Sequence, residues 1–368
     1  MDQMGALLTS RVPMFAPGLQ VTAIHHPLRR FVARGPLVRS RPAFFADRVL
    51  NRMVLYPRRI RRDVAQRFDL YHIVDHSYAQ LALALPARST LVTLHDVDAF
   101  RSLITNGGDP RPLWFRAMAR RILRGLRRAE IVVCGSAAAC DELVALEFVD
   151  PARVRVVPNG IDPAFLAESS ADARARAAAL YPAQRGVFDL LHVGNDIPRK
   201  RLDRLIEIVA TLRKRGHWVR LVRVGSPFRP ETRRSIQELA VNDIVELPFL
   251  DRDVLRAVYE RCDLLLLTSD REGFGLPVIE AFAAGKPVVA SDIPALRESG
   301  GGLATCVRPD ALPEWVEAVE RVLSAGDPTG ARAAARRARA AALTWDHHVR
   351  GVIPVYAEVL ARRNGPTR

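Results

Sequence analysis

Short runs of branched and aliphatic residues alternate along this chain with stretches whose apolar positions recur at helical spacing. That alternation is the pattern of parallel sheets joined by crossover helices. In the first half it predicts strands over 19–24, 70–74, 89–95, 130–134 and 153–157, with helices over 113–128 and 136–146. A cluster of turn residues, Pro158-Asn159-Gly160-Ile161-Asp162-Pro163, then interrupts the pattern. It restarts after an Ala-rich helix over 172–180, with strands over 188–193, 218–224, 244–247, 263–267, 287–291 and 304–307. Helices fill the gaps, including 200–214, 253–261 and 277–284, the last closed by Gly285 as a C-cap. A helix over 345–363 ends the sequence.

Two α/β units of similar size are expected, each a Rossmann-like lobe with a parallel sheet, facing one another across a cleft. The boundaries read as 1–160, 161–344 and a C-terminal helix over 345–368 that packs back toward the N-terminal lobe. A Rossmann-like unit normally opens on a strand. Here residues 1–11 read as a helix, and a strand pattern follows only after Pro17-Gly18. The N-terminal lobe is therefore expected to lack its usual first strand and to leave a sheet edge open, which invites aggregation.

Composition narrows the class. A chain of 368 residues, 49% of them hydrophobic, is long enough for two cores and carries no low-complexity tract. Its longest apolar runs fall short of the ~18 residues of a membrane span, and no export signal is visible, so a cytoplasmic protein is expected. The four cysteines, Cys134, Cys140, Cys262 and Cys306, show neither metal-ligand spacing nor a disulfide framework. Buried thiols in a reducing compartment are the expectation.

Charge adds a regional feature. The net charge is +15, and residues 1–160 hold 24 arginines against 13 acids, which accounts for 11 of it. Between Leu28 and Arg62 eleven arginines face one acid, Asp47, and a second cluster, Arg116, Arg120, Arg121, Arg124, Arg127 and Arg128, recurs at helical spacing. Such a face attracts anionic lipid, polyphosphate or nucleic acid, or is simply a solvated Arg-rich surface.

The densest chemistry runs from Ser269 to Asp292: Ser269-Asp-Arg-Glu272-Gly273-Phe274-Gly275-Leu276-Pro277, then Glu280, then Gly285-Lys-Pro-Val-Val. An apolar strand enters a loop with two glycines, and a helix follows with Pro277 in its first turn. Glycines allow a ligand close to the backbone, and the helix N-terminus suits an anion. Glu280 lies one turn into that helix, and a carboxylate can accept from two vicinal hydroxyls. A second element, Leu190-Leu-His-Val-Gly194-Asn-Asp-Ile-Pro198-Arg199-Lys200-Arg201, ends a strand at a glycine and gathers three cations at a helix start. Cations there oppose the helix dipole and make better sense facing a diphosphate.

The whole string around Glu272 and Glu280 strongly resembles the Glu-x7-Glu signature of the family 4 glycosyltransferases, which adopt the GT-B fold. The resemblance covers about 65 to the C-terminus and is strongest over 188–295. It implies a nucleoside-diphosphate-sugar donor, no metal and no other cofactor. Glu280 would bind the ribose hydroxyls, and Glu272 would hold the transferred sugar beside the main chain of Gly273, Phe274, Gly275 and Leu276. Lys200 and Arg199, next to Gly194, would neutralise the diphosphate; Asn195 stands where many members have arginine. The glycine-bearing loop that follows the family's first strand has no counterpart here.

In the first lobe Thr93-Leu94-His95-Asp96 closes a strand. By the same resemblance His95 contacts the transferred sugar; otherwise it is a capped loop histidine. Asp96-Val97-Asp98 spells a metal-binding pair of another transferase fold, in the wrong context. His72 and His76 near Asp75 read as one cleft and one structural histidine rather than metal ligands. The implied reaction is hexosyl transfer with retention to a glycan or lipid-linked acceptor in cell-envelope polysaccharide or glycolipid synthesis. Peripheral contact with anionic membrane is included, and nucleic acid is not a partner. Two readings compete: a sugar-nucleotide epimerase or phosphorylase on the same fold, and a non-catalytic basic module binding membrane or nucleic acid. The full Glu-x7-Glu string argues against the second, because electrostatic binding does not call for it.

Overall fold

The computed structural model describes residues 2–33, 40–65, 67–104, 111–326 and 330–364. The chain divides into two compact units, Met1–Pro158 with His348–Arg368, and Asn159–His347.

The first unit holds a parallel sheet of four strands: β1 (Tyr71–Ile73), β2 (Thr90–Leu94), β3 (Ile131–Cys134) and β4 (Val154–Val156), in the spatial order β1-β2-β3-β4. The expected helix at the start is present as Asp2–Phe15, which buries Met4, Leu8 and Val12 at four-residue spacing. The strand expected over 19–24 does not form. That segment carries no regular structure, and Thr22, Ala23 and Ile24 are exposed. Without a neighbouring strand its alternating pattern has no ladder to join, since an isolated strand leaves its backbone groups to water. Among the described residues no strand precedes β1, which pairs with β2 alone and so forms an edge of its sheet.

The Arg-rich stretch has a structural organiser in its lone acid. Asp47 is fully buried in the Arg41–Leu50 helix and accepts backbone N–H groups from Phe31, Val32 and Ala33, each at 2.9 Å. Asn51, one turn on, accepts from the Arg29 N–H at 3.0 Å and donates to the Arg29 carbonyl at 2.7 Å. The Leu113–Arg128 helix buries Ala119, Ile122, Leu123, Gly125 and Leu126. Gly125 packs directly on the backbone of the 3-10 segment His76–Ala84: a Cβ there would lie 2.0 Å from the Ala79 carbonyl oxygen. The Trp345–Asn364 helix closes this unit, with Arg155 and Glu358 paired at 2.5 Å.

The second unit contains six parallel strands, β5 (Phe188–Val193), β6 (Val219–Val224), β7 (Ile244–Leu247), β8 (Leu264–Leu267), β9 (Val288–Ser291) and β10 (Thr305–Val307), ordered β10-β9-β8-β5-β6-β7. The central strands β6, β8 and β9 are buried along their whole length, and in β8 this shows as a continuous apolar run. Leu191, Val222, Leu265, Leu267 and Val288 enter the core on one face. Leu190, Leu221, Leu264, Leu266 and Val289 enter the core on the other. All four cysteines are free thiols, with Cys134 and Cys262 buried.

Candidate functional site

In an open parallel sheet the loops at the strands' C-terminal ends part where the strand order reverses, and a crevice opens there. In the second unit that reversal lies between β5 and β8. The loop after β5 carries Gly194, Arg199 and Lys200, and the loop after β8 carries Glu272 to Gly275. Two segments some seventy residues apart in sequence therefore meet at one point.

The Glu272 carboxylate lies at its centre. Oε1 accepts from the Lys200 ammonium at 2.5 Å and from the Ser269 hydroxyl at 2.6 Å, and Oε2 faces Arg199 Nη1 at 3.3 Å. The Glu272 and Lys200 side chains are only 7% and 10% exposed. Burial alone would raise the Glu272 pKa. The charges of Lys200 and Arg199, with hydrogen bonds from Lys200 and Ser269, outweigh it and hold the acid below its ordinary value. The two cations thus favour the ionised form of this carboxylate.

Backbone conformation sets that geometry. Pro198–Lys200 is a single 3-10 turn, Arg201 is left-handed with φ +48°, and the helix begins only at Leu202. The expectation of a helix beginning at Lys200 is corrected here: the left-handed Arg201 detaches the cations from the helix and turns them toward the β8 loop. The Thr268 hydroxyl, just past β8, lies 3.0 Å from both the Lys200 and Arg201 carbonyls, and the Asp270 N–H donates to the Arg199 carbonyl at 2.8 Å. Gly194, φ +157°, ends β5, and the buried Arg223 donates to its carbonyl at 2.9 Å.

Glu280 occupies a different setting. It lies on the Leu276–Ala283 helix, which starts from Gly275 at φ +89°, where a Cβ would also come within 2.6 Å of Leu296 Cδ2. Phe274 is buried and anchors the loop in the core, Leu276 is exposed, and Gly273 links Glu272 to Phe274. The Tyr259 hydroxyl donates to Glu280 Oε2 at 2.8 Å. Burial raises the Glu280 pKa, partly offset by that bond and by Arg252, with Asp162 adding to the rise. The two glutamates of the motif are thus tuned in opposite directions, one down and one up.

His95 belongs to the first unit, just past β2. Its Nε2 lies 3.0 Å from the Val74 carbonyl, and its backbone N–H donates to His76 Nδ1 at 3.2 Å. His76 is buried 3.8 Å from both Asp75 and Asp96, and His72 is held between Tyr356 at 2.8 Å and Thr93 at 2.7 Å. Burial, reinforced by the nearby His348 and His95, pushes the His72 pKa down to about 3. Among the described residues no three His, Cys, Asp or Glu side chains are grouped so as to hold a metal ion. Three residues went unassigned in the sequence: Ser269, Tyr259 and His192. Tyr259 and Glu280 meet only through folding, whereas His192 was readable, since two-residue spacing places it on the same face of β5 as Gly194.

Comparison with known proteins bears on the family and the fold. Residues 181–340 match the profile of the glycosyl transferases group 1, and residues 12–165 that of glycosyltransferase family 4. The chain is 31% identical to the D-inositol 3-phosphate glycosyltransferase of Kineococcus radiotolerans, over 82% of this chain and 74% of that one. It is 28% identical to the Nocardia farcinica protein of the same name, over 98% and 85%. Anabaena HepE, solved in complex with UDP and glucose, superposes with a TM-score of 0.67 at 20% identity, covering 85% of this chain and 82% of that one. Sucrose-phosphate synthase from Thermosynechococcus elongatus gives 0.68 at 22% identity, over 92% and 85%. The fold is GT-B, and the chain belongs to the group 1, family 4 glycosyltransferases.

Proposed function

We propose that this glycosyltransferase takes a nucleoside-diphosphate sugar as donor and transfers its hexose, with retention, to a hydroxyl of a glycan or lipid-linked acceptor. The observation that supports this reading best is the buried Glu272 carboxylate gripped by Lys200 and Arg199 at the strand-order reversal. Lys200 and Arg199 take the diphosphate, Glu272 the sugar hydroxyls and Glu280 the ribose, with the main chain at Gly273 to Leu276 alongside. As the glycosidic bond breaks, its electron pair moves onto the diphosphate oxygen, and the two cations stabilise that growing charge. The departing oxygen takes the acceptor's proton while the acceptor oxygen bonds to the anomeric carbon on the same face. The cations do a metal's work, so turnover persists in the presence of a chelator.

UDP-glucose is the first donor to try, because Anabaena HepE was solved with it. Glu280→Gln is expected to weaken UDP binding by about 1.5–3 kcal/mol, since a charged acceptor for hydroxyls becomes a neutral one. Ribose hydroxyls need the ionised carboxylate. Because the Glu280 pKa is raised, wild-type affinity should begin to fall on acidification at a higher pH than an ordinary glutamate would give. Glu280→Gln should lose that step. Glu272→Gln should impair UDP-glucose binding more than UDP binding, since UDP lacks the group that Glu272 holds. Isothermal titration across pH checks all three, and UDP affinity unchanged in Glu280→Gln would remove the assignment.

The proposal extends to a cytoplasmic site of action at the inner membrane face. No helix among the described residues is long and apolar enough to cross a membrane. The Leu113–Arg128 helix exposes Arg120, Arg121, Arg124, Arg127 and Arg128, and at its start Leu113 and Trp114 are 78% and 52% exposed. Phe45, also exposed, meets Trp114 edge-on at 5.4 Å. Each cation near an anionic surface contributes about 1 kcal/mol. The protein should co-sediment with anionic vesicles more than with neutral ones at low salt; equal binding would refute membrane contact.

A further inference from the structure

His192 is fully buried in β5, and its Nδ1 lies 3.0 Å from the Leu266 carbonyl. A carbonyl only accepts, so Nδ1 carries the hydrogen and Nε2 presents a lone pair. Burial, followed by the nearby Lys200 charge, pushes the His192 pKa down to about 4, which keeps the ring neutral at physiological pH. No protein group among the described residues hydrogen-bonds that buried Nε2. Buried polar atoms are nearly always satisfied, so an orphaned acceptor needs an explanation.

Its surroundings supply one. The position a Cβ would take on Gly194 lies 3.5 Å from His192 Nε2, 3.6 Å from Lys200 Cε and 3.8 Å from Lys200 Nζ. His192 Nε2 and the ammonium thus border the same small space, which stays open because residue 194 has no side chain. An ammonium has three N–H donors, and Glu272 Oε1 takes one of them. Under the donor-site reading above, on which this inference rests, Glu272 must turn its lone pairs to sugar hydroxyls when the donor binds. Lys200 then needs another acceptor to stay aimed at the diphosphate.

We propose that His192 is a positioning residue for Lys200, its Nε2 accepting a hydrogen bond from the ammonium once the donor sugar engages Glu272. The hydrogen bond exists in the donor complex and not in the free protein, which explains an acceptor left unsatisfied in the structure.

The test is His192→Phe and His192→Gln, each followed by melting temperature, kcat and KM with UDP-glucose, and UDP affinity. A phenyl ring removes the orphaned acceptor but also the Nδ1–H donor to the Leu266 carbonyl, so the free His192→Phe protein should melt at most about 4 °C below wild type. Its kcat should nevertheless fall about tenfold or more, with UDP affinity little changed, because a charge-assisted bond of the donor complex is lost. His192→Gln, which keeps an acceptor at similar reach, should recover part of the rate and serves if the phenylalanine variant folds poorly. In parallel, imidazole nitrogen NMR of the wild type should show the Nε2 signal moving on addition of UDP-glucose and not of UDP. Full kcat in both variants, or an Nε2 signal that UDP-glucose leaves in place while it binds, would overturn the role of His192 with the donor site intact. Absence of any UDP-sugar binding to the wild type would overturn the donor reading and this proposal together.

Discussion

Lys200→Ala is expected to lower turnover by about two to three orders of magnitude, while the affinity for UDP falls much less. The reason is where the charge grows. Under the proposed donor reading, backbone N–H groups and Arg199 would share the charge of the bound diphosphate, so losing one cation costs modest ground-state affinity. In the transition state an additional negative charge develops on the leaving oxygen, and an interaction present mainly there acts on kcat. Lys200 and Glu272 are only 10% and 7% exposed, so their interaction is weakly screened and a water in place of the ammonium would supply no charge. Removing Lys200 also leaves the buried Glu272 with only Arg199 and Ser269. The free protein should therefore lose about 3 kcal/mol of stability. Rates must accordingly be taken well below the variant's melting temperature. Steady-state kinetics with UDP-glucose beside UDP titration checks the division; a parallel loss in both would place Lys200 in uniform binding rather than in catalysis.

Gly125→Ala should destabilise the first unit by more than about 3 kcal/mol and leave the second unit's stability nearly unchanged. The added methyl would lie 2.0 Å from the Ala79 carbonyl oxygen, 2.4 Å from its carbon and 2.7 Å from Gln80 Cα. All three are backbone atoms, so no side chain can rotate away and the helix itself must move off the 3-10 segment it covers. Alanine is the better helix former by only about 1 kcal/mol, too little to compensate. Ile122, Leu123 and Leu126 pack from this helix into the first unit's core, while the second unit has cores of its own. Denaturant unfolding followed at domain resolution should show one transition moved and the other in place. A wild-type profile for Gly125→Ala would contradict the close packing of this helix.

Much of the second unit was legible in the sequence because its signals are local. The central strand Leu264–Leu267 is buried on both faces and reads as one continuous apolar run. The glycine loop and Pro277 mark a helix start by chain chemistry alone, and Glu272, Glu280, Lys200 and Arg199 stood out within recognisable strings. The first unit was less legible. Residues 19–24 alternate as a strand does, yet form none, because a strand exists only with a neighbour to receive its N–H and C=O groups. Asp47 looked like one acid lost among arginines, and its burial against three backbone amides depends on a loop folding back fourteen to sixteen residues. Tertiary structure alone decided that Lys200 and Glu272 touch across seventy-two residues, and that Tyr259 meets Glu280. Tertiary structure likewise decided that one motif glutamate is held ionised by cations while its neighbour is pushed toward the neutral acid by burial. Side-chain chemistry and local backbone preference are written in adjacent residues, whereas partners and desolvation depend on which distant segments the sheet order brings together.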